Sequence, residues 1–171
     1  MTGRTSTDII SQGILIKAAP ETVYDVVSRA EHFAKWFADE VAWGESGDSS
    51  ELEPVAGARG IFVWRDDAGN MTSTVEATVV AADRPSLFSF TWVSPERQRS
   101  SSAGSAPVLV EFRINAEAGG TRLVVCESGL DAVDWNEQAK AAYAADHSNG
   151  WAGFLPKARA VAESFEALGS A

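Results

Sequence analysis

The sequence predicts an α+β domain in which an antiparallel sheet is covered by a long C-terminal helix, and three observations predict it. An alternating, β-branched opening segment gives way directly to helical spacing; five strand-like stretches separated by turn residues fill the middle; and an apolar stripe at helical spacing runs toward the C-terminus. Such a sheet has one apolar face, and the stripe is the one partner large enough to cover it.

The opening strand is expected over Ile9 to Ala18, where Ile14, Ile16 and Ala18 alternate. Pro20 suits a first helical turn, and Val23, Val26 and Val27 then fall at three- and four-residue spacing, so a helix is expected to about Arg29. A second short helix is expected over Ala30 to Phe37, with Phe33, Trp36 and Phe37 on one side. Ala42 to Gly57 is rich in Gly, Ser, Asp and Glu and reads as a long loop with room for a short strand. Strands are expected at Ala58 to Trp64, Met71 to Ala82, Ser86 to Val93, Pro107 to Asn115 and Thr121 to Ser128. Asp66 to Asn70 and Ala118 to Gly120 carry hairpin turn chemistry, whereas Ser94 to Ala106 is almost devoid of apolar residues and reads as a mobile connection. From Asp134 onward the spacing is helical again. Trp151, Phe154, Leu155, Ala158, Val161, Phe165 and Leu168 form the stripe, and Pro156 within it predicts a kink or a late helix start near Ser148.

With 171 residues and 45% apolar content, the chain can bury roughly two-thirds of its unfolded surface in one core, so 9–168 is read as one domain behind a flexible tail over 1–8. A formal charge of −10 repels phosphate backbones and anionic lipid, which argues against nucleic acid and membrane partners. The single cysteine, Cys126, closes no intramolecular disulfide, and no Cys or His cluster has metal-ligand spacing. No apolar run reaches the roughly 18 to 20 residues of a membrane helix, and Met1 to Thr7 lacks the apolar core of a signal peptide. A cytoplasmic protein without metal or cofactor is expected.

Ile16 to Tyr24, Trp36-Phe37, Pro85 leading to Phe90-Thr91-Trp92, Thr121 to Leu123, Glu127 to Leu130 and His147 to Trp151, taken in this order, resemble the activator of heat-shock-protein-90 ATPase homologue family. That family lies within the START-like or SRPBCC superfamily. The resemblance spans Ile9 to Leu168. It implies a helix-grip (Bet v 1-like) fold: a curved antiparallel sheet wrapped around a long C-terminal helix, two short helices after the first strand, and a cavity that in many relatives holds a small apolar molecule. Pro156 and the Ser94 to Ala106 connection depart from the family pattern.

Alternation places Phe88, Phe90 and Trp92, then Val108, Val110, Phe112 and Ile114, then Leu123, Val125 and Glu127 on the inner face. The expected ligand-binding set is Trp64, Phe90, Trp92, Val110, Phe112, Leu123, Val125, Glu127, Trp151, Phe154, Leu155 and Ala158. Each apolar member also reads as core filling. Glu127 stands out, because an inward carboxylate needs a partner or a raised pKa. It reads as the polar anchor of a ligand hydroxyl, amine or amide, as half of an internal pair with Arg59 or Arg113, or as a strand end that already reaches water. His147 reads as a packing or capping residue at a helix start, or as a residue at the cavity mouth. Cys126 reads as an inert thiol, and Arg97 and Arg99 as members of a solvated loop.

With His32 and His147 far apart and no nucleophile beside a base, no catalytic residue is expected. The leading expectation is a protein that binds a small hydrophobic or aromatic molecule in an internal cavity. The alternatives are a cyclase- or hydratase-like enzyme using the same cavity, with Glu127 carrying the proton, and a stress-response module that docks on a chaperone or regulator; a homodimer is compatible with each.

Overall fold

A computed structural model describes residues 10–44, 53–93 and 107–169. The expected tail, the 94–106 connection with Arg97 and Arg99, and much of the 42–57 loop lie outside the described residues. In chain order the elements are β1 (Ile10–Ile16), α1 (Pro20–Ser28), α2 (Ala30–Phe33), β2 (Glu40–Trp43), β3 (Arg59–Arg65), β4 (Met71–Asp83), β5 (Leu87–Trp92), β6 (Val108–Glu117), β7 (Gly120–Ser128), a 3₁₀ turn (Leu130–Ala132) and α3 (Glu137–Gly169).

The seven strands form one antiparallel sheet in the order β1-β7-β6-β5-β4-β3-β2. β2 to β7 are therefore a meander, and β1 closes it by pairing with β7 in the register Ile10↔Glu127 to Ile16↔Thr121. The chain begins and ends its sheet at one edge. There α3 packs against β1 and α1, an arrangement that bends the helix-covered sheet into the helix-grip form the resemblance implies.

Local chemistry accounts for most boundaries. Pro20 occupies the first turn of α1, and Ala19 before it brings no side-chain cap. The cap comes from α3 instead: the Glu166 carboxylate accepts the Ala19 N–H at 2.9 Å and the Thr22 hydroxyl at 2.8 Å. An anion at a helix N-terminus also meets the positive end of the dipole, and the Ala19 and Thr22 hydrogen bonds hold the Glu166 carboxyl below the usual carboxylate range. α2 ends at Phe33, four residues short of expectation, because Lys35 and Trp36 turn back with three-residue bonds to His32 and Phe33. That turn drives Trp36 and Phe37 into the core, where the Trp36 indole donates to the Val26 carbonyl at 2.9 Å.

Helix α3 also differs from expectation. It begins at Glu137, not near Ser148, and it runs through Pro156 without interruption. Asn136 explains the early start: its side-chain oxygen accepts the Ala139 N–H at 2.8 Å, the bond of an N-cap.

Two glycines are required by close approach. A Cβ on Gly120, whose φ is +147°, would lie 2.2 Å from the Ile16 carbonyl oxygen. A Cβ on Gly60 would lie 2.2 Å from the Trp43 ring, which crosses that position from the paired residue of β2. The Trp43 indole is fixed there by a 2.8 Å bond to the Ser28 carbonyl and cannot slide away without losing it. Gly60→Ala should therefore lower unfolding free energy by about 1 to 3 kcal/mol, the usual range for overpacking. Urea denaturation would measure this; a midpoint equal to that of the parent protein would show that the indole can move without cost.

Candidate functional site

Glu127 sits near the end of β7, between Ile10 of β1 and Val110 of β6. Alternation turns its side chain inward, and it is only 2% exposed. The partners it finds are neither Arg59 nor Arg113 but three side chains of α3. Tyr143 donates its hydroxyl to Oε1 at 2.6 Å, His147 Nδ1 lies 3.0 Å from Oε2, and Trp151 donates its indole N–H to Oε2 at 3.1 Å. Residues four apart repeat on one helix face, so a single carboxylate spans two successive turns. The Tyr143 and His147 rings stack at 3.8 Å with 20° between their planes, and Trp135 packs edge-on against Tyr143 at 5.7 Å.

Burial pushes the Glu127 carboxyl up, yet the His147 hydrogen bond and charge, with the Tyr143 and Trp151 bonds, together pull it below the usual carboxylate range. An ionised carboxylate only accepts, so the proton between it and His147 belongs to Nδ1. That orients the imidazole with its other nitrogen away from Glu127. Both oxygens thus accept hydrogen bonds from α3. His147 lies within α3 rather than at a helix start, and its ring stands 6.3 Å from Trp92.

The apolar members of the expected set do converge between sheet and helix, but around a residue outside it. The Phe37 ring lies 5.4 Å from Trp64, 5.9 Å from Trp92, 5.2 Å from Phe154 and 5.3 Å from Trp151, to which it is parallel within 3°. Phe33 and Phe62 extend this packing to Phe90 and Phe112. Phe90, Val110, Phe112, Leu123 and Ala158 have no accessible surface at all, and Val125 and Leu155 almost none. A void large enough for water leaves accessible area on its walls. The expected hollow is therefore filled along this stretch, because α2 and the turn after it insert Phe33, Trp36 and Phe37 where a ligand was anticipated.

Accessible surface reappears at one end: Phe37 and Trp92 are each 5% exposed, and Trp64 and Phe154 are half-buried. A separate open groove of about 300 Å³ reaches the Trp92 backbone region from the outer face of the sheet, where Arg59, Thr78 and Thr91 are cross-strand neighbours beside Glu76. Phe165, expected to face the sheet, packs on His32 at 4.7 Å and under Lys35. Cys126 is buried beside Ser11. Among the described residues no group of three His, Cys, Asp or Glu side chains is placed to hold a metal ion, and no helix is long and apolar enough to cross a membrane.

The family profile described as Activator of Hsp90 ATPase homolog 1-like protein matches residues 17–162. Among solved structures, a Mesorhizobium loti protein matches with a TM-score of 0.67 at 18% identity, over 91% of this chain and 97% of its own. A Staphylococcus aureus protein of unknown function matches at 0.69 and 16% identity, over 92% and 94%. The Aha1 dimer of Colwellia psychrerythraea matches at 0.60 and 17% identity, over 88% and 92%. At such identities the likeness is one of fold. No curated protein matches the chain.

The carboxylate predicts a graded response to mutation. Glu127→Leu removes the carboxylate that three side chains of α3 share and should cost about 3 to 5 kcal/mol, as when one partner of a buried ion pair is removed. Tyr143→Phe removes one bond and should cost about 1 kcal/mol. Because the folded-state pKa of Glu127 lies below its ordinary value of 4.5, the unfolded chain takes up the proton first on acidification. The contribution is full above that ordinary value and is lost as pH falls through the folded-state one. Chemical denaturation across acidic pH should show a smaller acid-dependent loss in Glu127→Leu than in the parent protein; identical slopes would mean that the carboxylate does not carry it.

Proposed function

This chain belongs to the Activator of Hsp90 ATPase homolog 1-like family, and from that premise we propose that it binds a small, largely apolar molecule bearing a hydrogen-bond acceptor, at the end of the sheet-helix interface where Trp64, Trp92, Trp151 and Phe154 meet. One observation carries the reading. Trp36, Trp43, Trp64 and Trp151 each donate the indole N–H to an acceptor in the protein. The Trp92 N–H is also buried and has none among the described residues. A buried donor left unmatched costs about 1 to 3 kcal/mol, and a ligand acceptor would recover it.

The surroundings suit such a ligand. The rings of Phe37 and Trp64 flank Trp92 and provide apolar faces, and few convergent polar groups are needed to orient a small molecule in an apolar site. Phe154 and Trp64, half-buried, are the side chains that swing aside to admit it. Phe90, Val110, Phe112, Leu123, Val125, Leu155 and Ala158 then serve as the rigid floor beneath the ligand. Glu127 acts at one remove, holding His147 and Trp151 in place. The role is binding rather than catalysis, since the groups that could move a proton are committed to one another.

The test is a tryptophan-fluorescence titration with matched pairs, an aromatic ketone against the hydrocarbon of the same shape, for example acetonaphthone and ethylnaphthalene. The ketone should bind about tenfold more tightly, the worth of one recovered hydrogen bond. Trp92→Phe, which keeps a ring in place, should abolish the preference while hydrocarbon binding persists. If neither compound binds, or the preference survives in Trp92→Phe, the site is not a ligand pocket and the molecule acts through its surface.

A further inference from the structure

We propose a second site, at the C-terminal end of β4, where the Tyr24 hydroxyl and Asp83 bind a small organic ammonium ion with an apolar body. The site is a pocket of about 280 Å³ between residues 53–56 and the last turns of β4. The pairing of β4 with β5 passes from Val79↔Phe90 to Ala81↔Ser89, so Val80 is the extra residue of a bulge. Bulges re-aim side chains. Here Val80 is left 50% exposed on one wall, and Val55 is 65% exposed on another. Both are apolar surfaces facing a concavity, not isolated surface residues.

Tyr24 also lines the pocket. Its ring is buried edge-on against Phe88 and covered by the Arg84 guanidinium, and only 2% of the residue is exposed. The hydroxyl has no hydrogen-bond partner among the described residues. Glu53, Arg84, Asp83 and Asp25 all act on it electrostatically, which places it at the pocket's charged end. Burial first, and then the Glu53 charge, push its pKa up to about 12, so it remains a neutral hydroxyl able both to donate and to accept.

The sign of the ligand follows from the pairing of charges. Arg84 pairs with Asp25 and Glu53, and Arg29 pairs with the same two carboxylates. Asp83 is the carboxylate on the pocket without an ion-pair partner among the described residues, and it is exposed. A chain of net charge −10 also draws cations to such a place. An ammonium group donates to Asp83 and to the Tyr24 oxygen, and its apolar body covers Val55 and Val80. This site stands independently of the one at Trp92.

Calorimetric titration of the full chain with phenethylammonium, phenylpropanol and phenylpropionate tests it. The amine should bind most tightly and the carboxylate least. Tyr24→Phe and Asp83→Asn should each weaken amine binding about tenfold, the effect of one charge-assisted bond, whereas Trp92→Phe should leave it unchanged. Asp83 is a surface residue, so Asp83→Asn retains the fold even if Tyr24→Phe loses stability. Amine binding that is undetectable at millimolar concentration, no tighter than that of the alcohol, or unaltered in Asp83→Asn overturns the proposal.

Discussion

The carboxylate of Glu127 ties the long helix to the sheet, and the register of that helix follows from it. Three donors on successive turns of α3 reach the same two oxygens, so shifting the helix by one residue breaks all three at once. Hydrophobic contact alone is not so exacting, because an apolar stripe can slide on an apolar face with little change in buried area. A buried charge that is fully hydrogen-bonded makes the alternatives costly. With α3 in this register, Trp151 lies parallel to Phe37, and Leu155, Ala158 and Ala162 follow it into the core.

A second tie acts at the other end of α3. Glu163 accepts the Lys17 N–H at 3.0 Å, and Glu166 completes the N-terminus of α1. The helix is thus held by carboxylates at both ends, one buried on the sheet and one exposed on the first helix, with aromatic packing between. This distribution explains why the interior is closed along most of its length and retains accessible surface only around Trp64, Trp92 and Phe154. Trp92 and Phe154 adjoin His147 and Trp151, the two ring donors that the Glu127 tie holds.

The resemblance implied a cavity between sheet and helix, and that space is largely occupied by the protein's own rings. The proposed binding site therefore lies at the margin of that space and not at its centre. The Trp92 indole, unmatched among the described residues, marks that margin, and the bulge at Val80 marks a separate concavity proposed to take a cationic, amphipathic ligand.

Much of this fold was legible in the chain. Two-residue alternation in β5, β6 and β7 identified the inner face correctly, including the inward direction of Glu127, because strand geometry assigns faces by local spacing alone. The stripe from Trp151 onward identified the covering helix for the same reason. The partners of Glu127 were not legible: Tyr143 and His147 interrupt an apolar pattern and so look like its boundary, while Asn136, the residue that starts the helix, is one polar residue among several. Phe37 was visible only as part of a short helix, and its place at the centre of the aromatic packing depends on a turn that ends that helix early. Which residues point inward follows from local spacing in the chain, since a periodicity of two or of 3.6 is a property of neighbouring residues. Which of them meet depends on long-range packing, because the pairing of β1 with β7 and the register of α3 bring together groups separated by most of the chain.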